Sequence, residues 1–126
     1  MQNYLNPIAL LRSYEILKQC HYFTKHGFHH EQYDALVKTA RKYSDAYIET
    51  FMYHNTKRGL VPLEVPFVPF VGDHSDVGLY TKARDCITRM LEVMTKASGG
   101  KADLEKLIQD FEQEAHQILA LIQSYE

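Results

Sequence analysis

Histidine is the residue in this chain best suited to chemistry, because its imidazole nitrogens bind metal ions and exchange protons near neutral pH. The 126-residue sequence holds seven histidines, which fall on or near every predicted helix and have carboxylates close by. We therefore consider a metal or small-ligand site built from imidazole and carboxylate groups. Its candidate residues are His21, His29, His30, His54, His74, Glu112 and His116.

The spacing of these residues does not match the di-metal sites of helical proteins. Helical bundles build such sites from inward-facing Glu-x-x-His pairs, and no glutamate here is followed three residues later by a histidine. The nearest pattern, Glu112-x-x-x-His116, lies at the margin of an apolar stripe. We assign no metal and predict no cofactor, and surface or helix-capping histidines are the simpler interpretation.

The sequence gives little support for nucleophilic catalysis. We therefore favour a protein that is not an enzyme, and we predict no catalytic residue. Cys20 and His21 are adjacent, and consecutive residues on a helix point about 100° apart. No serine lies in a nucleophile-elbow or glycine-rich setting. Cys20 and Cys86 are far apart in sequence, which argues against a CxxC redox site and predicts buried, reduced thiols.

A proline-rich apolar run over residues 60–71, here called the strap, is the most unusual segment. Proline fixes φ and removes a backbone donor, so a run with Pro62, Pro66 and Pro69 is neither a helix nor a central strand. The strap is predicted to be extended. Three roles are considered for it: a cover over the groove between the second and third helices, an interface for a partner or a second copy, and a flexible ligand segment of the proline-rich kind. The interface candidates are Leu63, Val65, Phe67, Val68 and Phe70.

Four stretches show the 3.6-residue periodicity of amphipathic helices, at about 7–26, 30–55, 75–97 and 101–125. Asn6-Pro7 predicts the first start, and Gly27 is predicted to end that helix. Asp73 or Ser75 is expected to cap the third helix, and Ser98-Gly99-Gly100 predicts a reversal before the fourth. The second helix has a tyrosine-rich stripe, with rings expected to be buried and hydroxyls solvated.

These elements predict one all-α domain over residues 1–126, a four-helix antiparallel bundle. The short links between the first two and the last two helices predict antiparallel neighbours. The strap then becomes a long, extended, proline-rich crossover between the second and third helices.

Charge and hydropathy narrow the classes of function. The net charge of −2 and the dispersed lysines and arginines argue against nucleic-acid binding. No apolar run approaches the roughly 20 residues that span a bilayer, and the start of the chain lacks a secretory signal, so we expect a cytoplasmic protein without membrane contact. We expect a non-enzymatic module that binds or assembles through protein–protein contacts, as a homodimer or a small adaptor or regulatory subunit. The alternative is a metal- or ligand-binding bundle.

Overall fold

Four helices make up most of the chain that the structure, a computed structural model, describes. The described residues are 5, 7–25, 27–54, 70 and 72–124. They contain no strand, and the predicted all-α class is confirmed. The strap lies outside the described residues except for Phe70, and so does the predicted extended crossover. The helices are α1 (Pro7–Phe23), α2 (Gly27–His54), α3 (Asp76–Ser98) and α4 (Ala102–Ser124).

The helices pack as a bundle in which α1 and α4 each contact both α2 and α3. His29, near the start of α2, contacts the carbonyl of Ile122, near the end of α4. His54, at the end of α2, contacts Asp103, at the start of α4. These two helices are therefore antiparallel. The helices α2 and α3 touch only slightly across the core.

The core is formed by apolar side chains that recur alternately three and four residues apart on each helix. Phe111 is fully buried in the middle of α4, and its ring stacks on Tyr43 of α2 at 5.6 Å between centroids. This spacing keeps one stripe of each helix against its neighbours and is typical of helical bundles. On α2 the buried residues are His29, Tyr33, Leu36, Ala40, Tyr43, Ser44, Tyr47 and Phe51.

The boundary between α1 and α2 differs from the sequence prediction. The first helix ends at Phe23, and Gly27 begins α2 instead of ending α1. Gly27 does not have the positive φ of a helix-stopping glycine, and a side chain there would meet nothing within 4 Å. Thr24 supplies the stop instead, because its hydroxyl donates to the carbonyl of Cys20 at 2.6 Å.

The start and the end of α3 follow the predicted signals. Ser75 is the N-cap, and its hydroxyl accepts a hydrogen bond from the backbone nitrogen of Gly78 at 3.1 Å. Asp73 supports the cap by accepting from the Ser75 nitrogen at 2.9 Å. At the other end, Gly99 and Gly100 have φ values of 58° and 75°, and this left-handed backbone produces the reversal into α4. No helix within the described ranges is long and apolar enough to cross a membrane.

Candidate functional site

The clearest meeting of predicted site residues is between His21, in the last turn of α1, and His30, in the first turn of α2. Their Nε2 atoms lie 3.0 Å apart, and their ring centroids are separated by 4.2 Å with a 41° tilt. When both imidazoles are neutral, one Nε2–H donates to the lone pair of the other. We call these two residues the histidine pair.

One carboxylate lies beside the histidine pair. Asp34 Oδ1 is 4.0 Å from His21 Nε2, and Asp34 Oδ2 accepts from Lys38 Nζ at 2.9 Å. The hydrogen bond from Lys38 lowers the pKa of Asp34, so this carboxylate is ionised at neutral pH. Burial and then the charge of His30 lower the pKa of His21. The pair is thus a hydrogen-bonded group with an anion next to it at pH 7.

The remaining histidine candidates lie elsewhere and make contacts of their own. His29 is buried, and its Nε2–H donates to the Ile122 carbonyl at 3.1 Å, which satisfies the last turn of α4. His54 Nε2 donates to both Asp103 oxygens, at 2.9 and 2.8 Å. The His74 ring stacks on Phe23 with 4.1 Å between centroids. These contacts stabilise the bundle, and each of the three histidines has a different partner.

The last two candidates, Glu112 and His116, line an open groove between α3 and α4 with a volume of about 410 Å³. Both side chains are exposed on α4. The opposite wall is formed by residues of α3, which are Thr88, Leu91, Glu92, Thr95 and Lys96. The groove therefore carries both charge signs, with two carboxylates and one ammonium group.

Within the described ranges, no group of three or more histidine, cysteine, aspartate or glutamate residues is arranged to hold a metal ion. The seven candidates therefore divide into the histidine pair, the groove residues and three separate helix-end contacts. Cys20 and Cys86 are buried, as predicted. Burial raises the pKa of each thiol to about 12, so neither supplies a thiolate nucleophile at neutral pH.

Among the interface candidates, Phe70 is the one within the described residues. It is only 9% exposed, and its ring contacts Phe23 edge-on at 5.7 Å between centroids. Its backbone nitrogen donates to Gln19 Oε1 at 2.6 Å. The sequence prediction missed Gln19, because its partner is the backbone of a residue 51 positions away and no local pattern indicates that contact.

Large apolar side chains are exposed at the end of the bundle where α1 ends and α3 begins. Tyr22 is 68% exposed, Phe23 is 37% exposed and Val77 is 63% exposed. The stacking of Phe23 on His74, three residues before Val77, places the two helix ends side by side. We call Tyr22, Phe23 and Val77 the apolar end. Tyr53, at the opposite end, is 78% exposed.

No family model matches this chain, and no curated protein or solved structure matches it.

Proposed function

We propose that this protein is a non-enzymatic binding and assembly module that associates with a second copy of itself through the apolar end. The observation that carries this proposal is the exposure of Tyr22 and Val77 beside the half-exposed ring of Phe23. Single exposed apolar residues are normal on protein surfaces, whereas a group at one site is typical of an interaction surface.

The charges around the apolar end favour a second copy over a strongly charged partner. Lys25 and Lys82 supply positive charge, and Asp73 and Asp76 supply negative charge. A surface with both signs in balance does not repel its own copy, and a two-fold axis can bring opposite charges together. Aromatic residues such as Tyr22 are also enriched in the buried centres of protein interfaces.

The strap extends this proposal. His54 and Phe70 lie at opposite ends of the bundle, because His54 contacts Asp103 at the start of α4 and Phe70 contacts Phe23 at the end of α1. We propose that the chain between them is the extended crossover indicated by its prolines. Its apolar side chains would then continue the association surface away from the apolar end; these are Leu63, Val65, Phe67 and Val68.

Light scattering across a range of protein concentrations tests the proposal. We expect the wild type to gain mass with concentration until it reaches a dimer. The double variant Tyr22→Ser/Val77→Ser should stay a monomer, because these exposed side chains contribute to association and little to folding. The matched control is Tyr53→Ser, which removes an exposed aromatic ring from the opposite end and should associate like the wild type.

Two results would contradict self-association through this surface. One is a wild type that stays monomeric at every concentration. The other is a double variant that dimerises as strongly as the wild type, which would place the interface elsewhere.

The alternative function, metal or ligand binding through histidine, is favoured by one specific observation, the 3.0 Å approach of the two Nε2 atoms in the histidine pair.

A further inference from the structure

The two nitrogens of the histidine pair lie almost as far apart as two nitrogen ligands of one metal ion would. A tetrahedral Zn²⁺ ion bound at about 2.0–2.1 Å by two imidazoles holds their nitrogens about 3.3 Å apart. His21 Nε2 and His30 Nε2 are already 3.0 Å apart. The ring centroids, at 4.2 Å, are closer than the about 5 Å of two imidazoles on one tetrahedral ion, so both side chains must turn outward to aim their lone pairs at it.

The surroundings of the pair suit an ion that enters from solvent. The side chain of His21 is 19% exposed, and His30 is an exposed residue. Water can thus fill the remaining coordination positions. The helix dipoles oppose each other here, because the last turn of α1, with His21, favours positive charge and the first turn of α2, with His30, disfavours it.

Asp34 contributes charge without being a ligand. Its Oδ1 is 4.0 Å from His21 Nε2, and Lys38 holds its other oxygen. A carboxylate at this distance can accept a hydrogen bond from a metal-bound water and so support the site from outside the ligand set. The positive charge of Lys38 offsets part of the attraction between the Asp34 carboxylate and the metal ion.

The other described histidines are less suited to share an ion. The Nε2 atoms of His29 and His54 are held by a carbonyl and by a carboxylate. His74 is stacked on Phe23, and His116 lies on α4 beside the groove. The histidine pair is where the structure brings two imidazole nitrogens together.

We propose that His21 Nε2 and His30 Nε2 bind one divalent transition-metal ion of the Zn²⁺ class, which links the end of α1 to the start of α2. Imidazole ligands suit Zn²⁺, Cu²⁺ and Ni²⁺, whereas Mg²⁺ and Ca²⁺ prefer oxygen ligands. Neither residue belongs to the apolar end, although the His21 and Tyr22 rings lie 5.6 Å apart between centroids, so metal binding and self-association are tested with separate variants.

The test uses the full chain without a histidine tag and Zn²⁺ as the probe. Calorimetric titration should show one Zn²⁺ per chain, and saturating Zn²⁺ should raise the thermal unfolding midpoint by at least about 3 °C. The variant His30→Gln keeps a hydrogen-bonding partner for His21 but replaces a good zinc ligand, so both effects should disappear. The same loss is expected for His21→Gln.

Matched controls separate this site from scattered surface binding. His116→Ala removes an exposed histidine from α4 and should bind Zn²⁺ like the wild type, and Mg²⁺ should leave the wild-type midpoint unchanged. Circular dichroism of each variant without metal checks that the bundle is folded. In nuclear magnetic resonance spectra, Zn²⁺ should shift the ring signals of His21 and His30 more than those of His116.

The proposal is overturned if the wild type binds no Zn²⁺ in the titration. It is equally overturned if folded His30→Gln binds Zn²⁺ with the wild-type stoichiometry and midpoint shift, since the metal would then be an adventitious ion only, bound by other histidines.

Discussion

At the scale of single residues, two buried hydroxyl groups on α2 differ in whether they have a partner. Tyr47 is fully buried, and its hydroxyl donates to the Met94 carbonyl at 2.5 Å. Burial also raises the pKa of Tyr47, so the hydroxyl remains a donor throughout the physiological range. Ser44 is 3% exposed, and its hydroxyl has no hydrogen-bond partner among the residues that the structure describes. A buried polar group without a partner costs roughly 1–3 kcal/mol.

These two positions give opposite predictions. Ser44→Ala should leave the free energy of unfolding unchanged or raise it by up to about 1 kcal/mol, because it removes an unsatisfied hydroxyl and improves helix propensity. Tyr47→Phe should lower it by about 1–2 kcal/mol, because a satisfied buried hydrogen bond is lost. Urea unfolding at neutral pH measures both. A clear loss of stability in Ser44→Ala would show that its hydroxyl has a partner in solution.

The sequence does not predict that one of these two hydroxyls has a hydrogen-bond partner and the other has none. The tyrosine-rich stripe of α2 predicted buried rings with solvated hydroxyls, and this is wrong for Tyr47. Its hydrogen-bond partner, Met94, lies 47 residues away on α3. Periodicity indicates which face of a helix is buried, but it carries no information about which distant carbonyl will meet a given hydroxyl.

At the scale of helices, His54 and Asp103 join the end of α2 to the start of α4. The hydrogen bond from His54 lowers the pKa of Asp103 below its ordinary 3.8. A carboxylate whose pKa is lower in the folded state contributes stability above its unfolded pKa, and this contribution is lost as the pH falls through the folded pKa. The helix contact should therefore weaken below about pH 4.

We predict that Asp103→Asn lowers the urea midpoint at about pH 5 and that its difference from the wild type shrinks towards zero at about pH 2. The asparagine keeps an acceptor for the backbone of Leu104, so the change mainly removes charge. In a His54→Gln background the same substitution should have a smaller effect at pH 5, because the partner is already gone. A difference that is independent of pH would contradict this assignment.

The helix ends that could be predicted are those set by local chemistry. Ser75 caps α3 by bonding a nitrogen three residues on, and Gly99 supplies the left-handed backbone at the reversal. The end of α1 was mispredicted because a glycine was taken as the stop, whereas the hydroxyl of Thr24 satisfies the last turn. Glycine permits a left-handed stop without requiring it, and Gly27 fits the start of α2 equally well.

At the scale of the whole molecule, the order of helices around the bundle is α1, α2, α4, α3. The short links predict α1–α2 and α3–α4 as neighbours, and the structure pairs them so; the long link left the position of α2 relative to α3 open, and these two helices lie across the core from each other. The four apolar stripes are similar in character, so they do not specify which helices are diagonal. The contact of His21 with His30 instead agrees with the antiparallel pairing of the first two helices, which their short link predicts.

Phe70 is the first residue after α2 that the structure describes, and its role can be tested. Phe70 is buried against Phe23 of its own chain, and Gln19 accepts a hydrogen bond from its backbone. Phe70→Ala should therefore lower the free energy of unfolding by about 3 kcal/mol, in the range of other buried phenylalanines. Tyr53→Ala, at a side chain that is 78% exposed, should change it by less than about 0.5 kcal/mol.

Thermal unfolding at several protein concentrations distinguishes two roles for Phe70, packing within its own chain and packing between two copies. Self-association stabilises the folded state by mass action, so the wild-type midpoint should rise with concentration. If Phe70 acts within its own chain, the wild type and Phe70→Ala should differ by the same free energy at every concentration. A difference that vanishes on dilution would instead place Phe70 in the contact between two copies, because only that contact is lost when the chains separate.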